Sequence, residues 1–470
     1  MSVFGWLGRA ERHGLSKAVV KRIFRKAVEI SNDEQCMSWE AIGEYPLAEQ
    51  LGPDLTVFAE TFVKMLGNSW FSRIWIVQEV VLARKPPYII LGSENATITM
   101  LLFLWKALTG AASRKLEPHI AFNLISEYVI MKLLVLRDKY EESQQLPGAE
   151  NQDLAEFGQR LNSVMRETSI RYKSTLQHDM IYGVLSMAKA PNLPPHLAPN
   201  YTKTFAEVCR DYATFIIGTT GDLTILSRFE SSFEDAIRDG KVPTWVPDFR
   251  QSRGTTKNPP CTGVVTFDTT GTIMTVDGVQ LGTCLTVLQP WGSDEAPGLS
   301  ERLQRIESDI LRPSAHRRQI LIEDCLAEWL LADNSVADLC NGDKETVIAL
   351  YRHFCGSQSC LVDWTQHPHA KAIPTRDVVQ VSTRWDKNLE GSAIFVAEDG
   401  SVGELLRSGT RLEMSDVVCV LKGSWFGSCF RPRGASFEFL GACRFRGGMK
   451  NGAFEEEFFR TRETQQFRIV

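Results

Sequence analysis

The amino-acid sequence predicts an α/β N-terminal part, then a helical region, then a small α+β module with a β-rich end. Short apolar runs bounded by glycine, at 2–8 and 86–92, predict strands around helical patterns at 15–30 and 55–67. Helical patterns continue from 98 to 223, and return at 299–355. Residues 263–288 and the part after Ile373 are rich in β-branched residues and glycine, which favours strands. We expect three domains, 1–92, 93–250 and 251–470, with residues 251–262 as a linker.

The composition is that of a folded protein with no strong charge bias. Of 470 residues, 43% are hydrophobic and 23% are charged, which excludes a wholly disordered chain. The formal net charge of −5 gives no general reason to expect nucleic acid or an anionic membrane as a partner. The eleven cysteines are scattered and odd in number, so we expect reduced thiols rather than a disulfide framework.

The N-terminal region carries a basic stretch, and no secretory signal precedes it. Residues 9–26 hold many bases and one acid, Glu11, so a mitochondrial presequence is an alternative to a solvated basic helix. No apolar run reaches the roughly 18 residues that a membrane-spanning helix needs. We expect a cytoplasmic protein.

A single acid interrupts the apolar stretch at 69–85, SWFSRIWIVQEVVLARK. Helical spacing would place Ser72, Trp75 and Glu79 on one stripe, with aliphatic residues around them. Such a helix should be buried, so Glu79 is expected to lie at least partly out of water. A buried carboxylate needs a partner, and it is either a structural anchor or a functional group at a pocket edge. The residues alone leave both interpretations open.

Several segments together resemble the fungal heterokaryon-incompatibility (HET) domain family. The stretch at 69–85 resembles that family's tryptophan followed by Gln-Glu, and VFGWLG near the start resembles its strand ending in Trp-Leu-Gly. HDMIYGVLSMA at 178–188 and PNYTKTFAEV at 199–208 resemble two further segments. VPTWVPDF at 242–249 resembles its Leu-Pro-Ser-Trp-Val-Pro-Asp-Trp element, and the residues after Ser415 resemble its closing module. These matches follow the family's order over almost the whole chain.

The resemblance implies a fold and a function. HET domains are remotely similar to TIR domains, which have a three-layered flavodoxin-like architecture, and many TIR domains cleave NAD at the nicotinamide–ribose bond. They use a glutamate four residues after a tryptophan, the spacing of Trp75 and Glu79. By this resemblance Glu79 would hold the ribose hydroxyls and stabilise the oxocarbenium charge, as carboxylates do in glycoside cleavage. Ser72 and Trp75 would contact the same substrate.

The sequence also departs from the family pattern. Two opening strands typical of the family are missing, so the chain resembles an N-terminally truncated member, or its true start lies upstream of Met1. The usual Asp-Pro-Arg-Asp is replaced by LQHD, which keeps only Asp179. Because ligands bind at the carboxyl ends of central strands, such a loss would remove most of a nucleotide pocket. We therefore expect a non-catalytic protein of fungal non-self recognition and programmed cell death, whose partners are other proteins of that system, including fuller HET-domain relatives. The alternative is an active NAD glycohydrolase.

Other groups of residues give weaker indications of a metal site or of nucleic-acid binding. A segment rich in cysteine and histidine contains zinc-type ligands, but its spacing matches no known finger, so we expect no metal site; its members are Cys340, His353, Cys355, Cys360, His367 and His369. Arginines near aromatic residues at 430–448 are explained as well by strand alternation as by nucleic acid, and we expect no nucleic-acid partner. The proline-bounded residues 242–249 are expected to be extended and packed.

Overall fold

The strand Phe4–Trp6 lies parallel to the strand Tyr88–Leu91, and five described α-helices lie between them in the chain. This is seen in a computed structural model, which describes residues 4–6, 15–34, 36, 38–115, 133–138, 140–141, 153–169, 172–188, 193–228, 233, 237, 239–250, 263–291, 298–313, 327, 330–331, 339–340, 343–356, 378, 381–382, 385–386, 389, 392–406, 410–445 and 456–470. The chain forms two compact units, Met1–Tyr201 and Thr202–Val470. Unit 1 mixes helices with a small sheet, and unit 2 carries most of the strands. The predicted mixed helix and strand composition with a sheet-rich C-terminal part is confirmed. The division into three domains stays a prediction.

Unit 1 has a three-stranded sheet, in which β1 (Phe4–Trp6) pairs in parallel with β2 (Tyr88–Leu91) and β2 forms a hairpin with β3 (Glu94–Thr97). The strands predicted at 2–8 and 86–92 are therefore present. The described helices of this unit include α1 (Lys17–Ser31), α2 (Trp39–Gly43), α3 (Leu47–Leu51), α4 (Leu55–Leu66), α5 (Ile74–Val81), α6 (Ile98–Lys115), α7 (Leu154–Thr168) and α8 (Asp179–Tyr182), with a 3₁₀ turn at Leu185–Ala188.

Apolar spacing explains the helices predicted near the N-terminus. The buried residues of α1 recur every three or four positions: Val20, Ile23, Phe24, Ala27 and Ile30. Helix α4 covers the range predicted at 55–67. Side chains also cap two other helices, since Ser38 accepts from the Ala41 N–H and Asp153 from the Ala155 N–H. Among the described helices none is long and apolar enough to cross a membrane.

Unit 2 begins with α9 (Phe205–Thr220), whose first turn is a capping box between Thr204 and Glu207. Three further described helices are α10 (Ile225–Arg228), α11 (Leu299–Ile306) and α12 (Lys344–Gly356), and a fourth, α13 (Glu456–Arg460), lies near the C-terminus. A π-helical turn, Glu307–Leu311, continues α11. The strands are β4 (Val265–Phe267), β5 (Met274–Leu288), β6 (Ile394–Ala397), β7 (Val402–Leu405), β8 (Val417–Leu421), β9 (Gly427–Arg433), β10 (Ser436–Phe445) and β11 (Gln465–Ile469). The strand-rich regions predicted at 263–288 and after Ile373 are confirmed.

The sheet of unit 2 runs β11-β10-β7-β6-β5-β8-β9, with β4 on β5 and further pairings of β11 with β5 and of β10 with β9. The β9–β10 and β11–β5 pairings bring the two ends of this order together. Apolar side chains from several strands form one core, which includes Phe395, Val418 and Leu440. A second core lies where α11 and α12 pack beside β6 and β7.

Three glycines fix the end of α9 against the sheet. Gly221 ends the helix with a φ of 64°, and a Cβ on it would lie 2.4 Å from the Gly263 carbonyl oxygen. Gly423 has a φ of 95°, and a Cβ there would lie 2.4 Å from the Gly221 oxygen. Backbone bonds join the same places, from the Gly263 N–H to Gly221 O and from the Leu223 N–H to Gly423 O. Only glycine allows backbones to approach this closely at left-handed φ.

Candidate functional site

Helix α5 carries Trp75 and Glu79, two of the three site residues predicted from the sequence, and its start is held by a short parallel bridge. Arg73 precedes the helix in an extended conformation and pairs with Lys173. The Lys173 N–H donates to Ser72 O at 2.6 Å, and the Ile74 N–H donates to Lys173 O at 2.9 Å. The first turn of α5 is therefore fixed to a segment about a hundred residues later in the chain.

The helix has one buried face and one outward face. Residues in a helix are about 100° apart, so the five buried aliphatics fall within one side of α5: Ile74, Ile76, Val77, Val80 and Val81. Trp75 and Gln78 are half-buried on the opposite side, and Glu79, next to Trp75 on that side, is exposed. The expected burial of the aliphatic residues is confirmed. The expected burial of Glu79 is wrong, because its position lies on the side of the helix opposite the buried aliphatic residues.

Ser72 does not share a helical stripe with Trp75 and Glu79. The helix begins at Ile74, two residues later, and Ser72 lies in the preceding turn. Its half-buried hydroxyl donates to Ser69 O at 3.0 Å. The expectation failed because Arg73 takes an extended conformation, which interrupts the helical spacing assumed for the whole stretch.

Trp75 takes part in a hydrogen-bonded arrangement that we name the Asp179 junction, formed by Trp75, Asp179 and Tyr201. The Trp75 indole Nε1–H donates to Asp179 Oδ2 at 3.2 Å. The Tyr201 hydroxyl donates to Asp179 Oδ1 at 2.9 Å. Asp179 is 7% exposed, so each of its oxygens is satisfied by a protein donor rather than by bulk water. Three of the segments that carry the family resemblance thus meet at one carboxylate.

Aromatic rings pack around the junction. Tyr201 lies 5.3 Å from Tyr182 and 5.5 Å from His178, measured between ring centroids. The Tyr182 hydroxyl accepts from the Asn200 N–H at 3.0 Å and lies 3.2 Å from the Asn200 carbonyl oxygen. At these distances the rings are in mutual contact, so they form a packed cluster rather than an open cage.

A further contact occupies the same face of α5. Gln78 donates from its side-chain nitrogen to the Ser186 hydroxyl, in the 3₁₀ turn that follows α8. Gly183 approaches α5 closely, because a Cβ on it would lie 3.4 Å from an Ile74 side-chain carbon. Of the outward residues of α5, Trp75 and Gln78 therefore form hydrogen bonds with residues about a hundred positions later in the same chain, while Glu79 faces solvent.

The chemical capabilities of these groups differ. Asp179 already accepts two hydrogen bonds, so it is poorly placed to accept a substrate proton. Partial desolvation, and then the hydrogen bond to Asp179, raise the pKa of the Tyr201 hydroxyl, which keeps it protonated as a donor. Glu79 is the carboxylate of α5, and its exposure leaves it open to a solute.

The Trp-Val-Pro-Asp segment, residues 242–249, is buried throughout and is not helical, as predicted. Its Asp248 is 0% exposed and forms a two-pronged ion pair with Arg250, at 2.9 Å for Nε to Oδ1 and 2.5 Å for Nη2 to Oδ2. The Thr244 hydroxyl donates to Val470 O and accepts from the Phe439 N–H. The segment thus anchors β10 and the residue after β11.

The cysteine and histidine segment shows no metal geometry where it is described. Cys360, His367 and His369 lie outside the described residues, and within the described ranges no group of three or more histidine, cysteine, aspartate or glutamate side chains could hold an ion. Burial, with Asp343 nearby, raises the pKa of the Cys340 thiol to about 12. A protonated thiol is a poor metal ligand at neutral pH.

No family model matches the chain, and neither a curated protein nor a solved structure matches it. The family resemblance therefore depends on the sequence motifs themselves.

The sequence predicts a site at Trp75 but does not reveal its hydrogen-bond acceptor, Asp179, or the second donor to that carboxylate, Tyr201. Asp179 and Tyr201 both lie in segments that resemble the family, and Asp179 is the residue retained in LQHD. Their proximity to Trp75 could not be read from spacing, since Asp179 lies 104 positions from Trp75.

Proposed function

We propose that this chain is a HET-type protein of fungal non-self recognition and programmed cell death signalling, and that it acts in the cytoplasm as a protein-binding partner rather than as an enzyme. The observation that carries the proposal is the Asp179 junction. It uses the indole N–H of Trp75 as a structural donor and draws together the segments that resemble the family. Because the indole N–H of Trp75 is bonded within the fold, the residue supports a structural and recognition role rather than a catalytic one.

A TIR-like, three-layered arrangement of the N-terminal part belongs to the same proposal. The parallel pairing of β1 with β2 across five intervening helices supports it, because parallel strands require a crossover connection.

The surface beside the junction supports a protein partner. Leu176 is 53% exposed immediately before α8, and Tyr201 is 50% exposed. The Leu176 carbonyl oxygen accepts the Asp179 N–H, which holds this turn next to the junction. Exposed aliphatic and aromatic side chains around a fixed polar group are typical of binding surfaces.

Co-expression in a filamentous fungus tests the proposal. A full-length HET-domain protein is expressed with and without this chain, and the frequency of cell death is counted. We expect the chain to change that frequency and Leu176→Ser to abolish the change. Val57→Ser is the matched control, because Val57 is 55% exposed in the same unit but lies on α4. An unchanged death frequency, or equal effects of both substitutions, contradicts the proposal.

NAD cleavage is the second candidate, favoured by one observation. Glu79 lies one helical turn after Trp75 on the outward face of α5, where a substrate can approach its carboxylate. In that case Glu79 would stabilise the oxocarbenium charge while Trp75 and Ser72 contact the substrate.

Chromatographic detection of nicotinamide after incubation with NAD separates the two candidates. For a partner protein we expect no turnover. Turnover that is lost in Glu79→Gln but kept in Glu60→Gln, an exposed glutamate on α4, would establish the enzyme instead.

A further inference from the structure

A cavity of about 430 Å³ lies in unit 2 where the Trp-Val-Pro-Asp segment begins. Its wall comes from four pieces of chain: the approach to that segment, the β4–β5 turn, the ends of β9 and β10, and Val470. Pockets that bind small organic molecules measure about 300–1,000 Å³, so the volume suits such a ligand.

The inner surface is largely apolar. Its aliphatic groups come from Ile237, Val242, Pro243, Ile273 and Val470. Val242 is 4% exposed, so the surface continues the packed interior of the unit. A hydrocarbon group bound here would be transferred from water to a preformed apolar surface, which is favourable.

Two of the polar lining residues already have partners inside the fold. The Thr244 hydroxyl bonds Val470 O and the Phe439 N–H. The Thr272 N–H and hydroxyl both donate to Asp268. That carboxylate also accepts from the Ile273 N–H, which fixes the turn and leaves it little capacity for a ligand.

The remaining polar groups are an ion pair at the ends of β9 and β10. Arg433 donates from Nε at 2.9 Å and from Nη2 at 2.7 Å, both to Glu438 Oε2. A guanidinium has five N–H donors, so three are left for another acceptor. Arg433 is the more accessible partner, with 59% of its side chain exposed against 26% for Glu438. Exposed pairs of this kind are weak, so the guanidinium can turn toward a ligand at little cost.

We propose that this cavity binds a small organic acid with an apolar chain, whose carboxylate bonds the Arg433 guanidinium and whose hydrocarbon body lies against Val242, Pro243 and Ile273. An acid is favoured over an amine because Arg433, the more exposed of the two charged residues that line the cavity, is a cation. Planar carboxylates also match the guanidinium fork.

Calorimetric titration of the whole protein with hexanoate tests this inference, with hexan-1-ol and hexylamine as matched probes of the same chain length. We expect saturable binding of one hexanoate per chain, and dissociation constants at least tenfold larger for the alcohol and the amine. Arg433→Gln should weaken hexanoate binding about tenfold or more. Arg411→Gln, an exposed arginine outside the lining, should leave it unchanged.

Three outcomes would overturn the inference. No saturable binding below about 10 mM, a Kd range that such small ligands normally reach, would remove the site. Equal affinity for hexanoate and the alcohol, or preference for the amine, would remove the acid specificity. Hexanoate binding that survives Arg433→Gln would place the ligand elsewhere. Because Arg433 is exposed, its substitution should leave the melting temperature without ligand unchanged, which separates loss of binding from loss of folding.

Discussion

Asp248 in unit 2 and Asp179 in unit 1 are both buried, and they are held in opposite ways. Asp248 pairs with Arg250, two residues away, and has a cation for its charge. Asp179 accepts from the neutral indole of Trp75 and the neutral hydroxyl of Tyr201, which come from distant segments. Both carboxylates have satisfied oxygens, and the two donors to Asp179 come from separate parts of the chain.

The difference separates local from long-range stabilisation. The Asp248–Arg250 pair is formed within one turn, and Arg250 also lies 5.2 Å above the Phe205 ring, so the segment is anchored onto α9. The Asp179 junction connects α5, α8 and the segment before Thr202. Removing the Asp248 carboxylate should therefore lower the free energy of unfolding more, since it leaves Arg250 without its counter-ion. Removing the Asp179 carboxylate should affect more segments.

The largest expected effect is that of Asp248→Ala. It removes the counter-ion of Arg250 in a buried segment, and we expect a loss of about 3 kcal/mol in the free energy of unfolding, because breaking buried pairs costs about 3–5 and Arg250 is partly exposed. Urea denaturation followed by circular dichroism measures it.

Asp239→Ala is the matched control for that prediction. Asp239 pairs with Lys241 at the same spacing of two residues, but both side chains are largely exposed. We expect no measurable change in stability. Equal losses in the two variants would show that burial is not what makes the Asp248 pair important.

A smaller effect is expected for Asp179→Ala. The substitution leaves the Trp75 N–H and the Tyr201 hydroxyl without their acceptor, which should cost about 1–2 kcal/mol, since water can reach Tyr201 but less easily Trp75. Tryptophan fluorescence during urea unfolding measures it. A fully unchanged transition would mean that the junction contributes nothing to stability.

The Tyr201 hydroxyl predicts a mild alkaline sensitivity. Its pKa is raised in the folded state, so its contribution to stability is present below the unfolded value near 10 and is lost as the pH rises through the folded value. Between pH 9 and pH 12, Tyr201→Phe should lose stability less steeply than the unchanged protein. Parallel curves would contradict this assignment.

The smallest expected effect is that of Glu79→Gln. An exposed carboxylate on the solvent side of α5 contributes little, so the melting temperature should not change. A clear shift would indicate that Glu79 has a partner in solution and would reopen its role as an anchor.

Much of the local structure could be predicted from the sequence. Strands β1 and β2, helices α1 and α4, and the packed residues 242–249 follow from periodicity and from proline and glycine positions. Glu79 was misjudged because five aliphatics fit on one side of a helix and leave the other side free for an acid. Ser72 was misplaced because nothing local signals that Arg73 is extended, which depends on its pairing with Lys173.

The long-range contacts were beyond sequence reasoning. Asp179 and Tyr201 are ordinary residues in helical or turn patterns until the fold brings Trp75 next to them. The same holds for the cavity beside Arg433, whose four wall segments are far apart along the chain.

A double-mutant cycle between Trp75→Phe and Asp179→Asn tests the central claim most directly, because it isolates the interaction of the indole N–H with the carboxylate. The account predicts a coupling of at least about 0.5 kcal/mol in the free energy of unfolding, with the double variant less destabilised than the sum of the single ones. Additive effects, within about 0.3 kcal/mol, would contradict it and would free Trp75 for a role in binding a substrate.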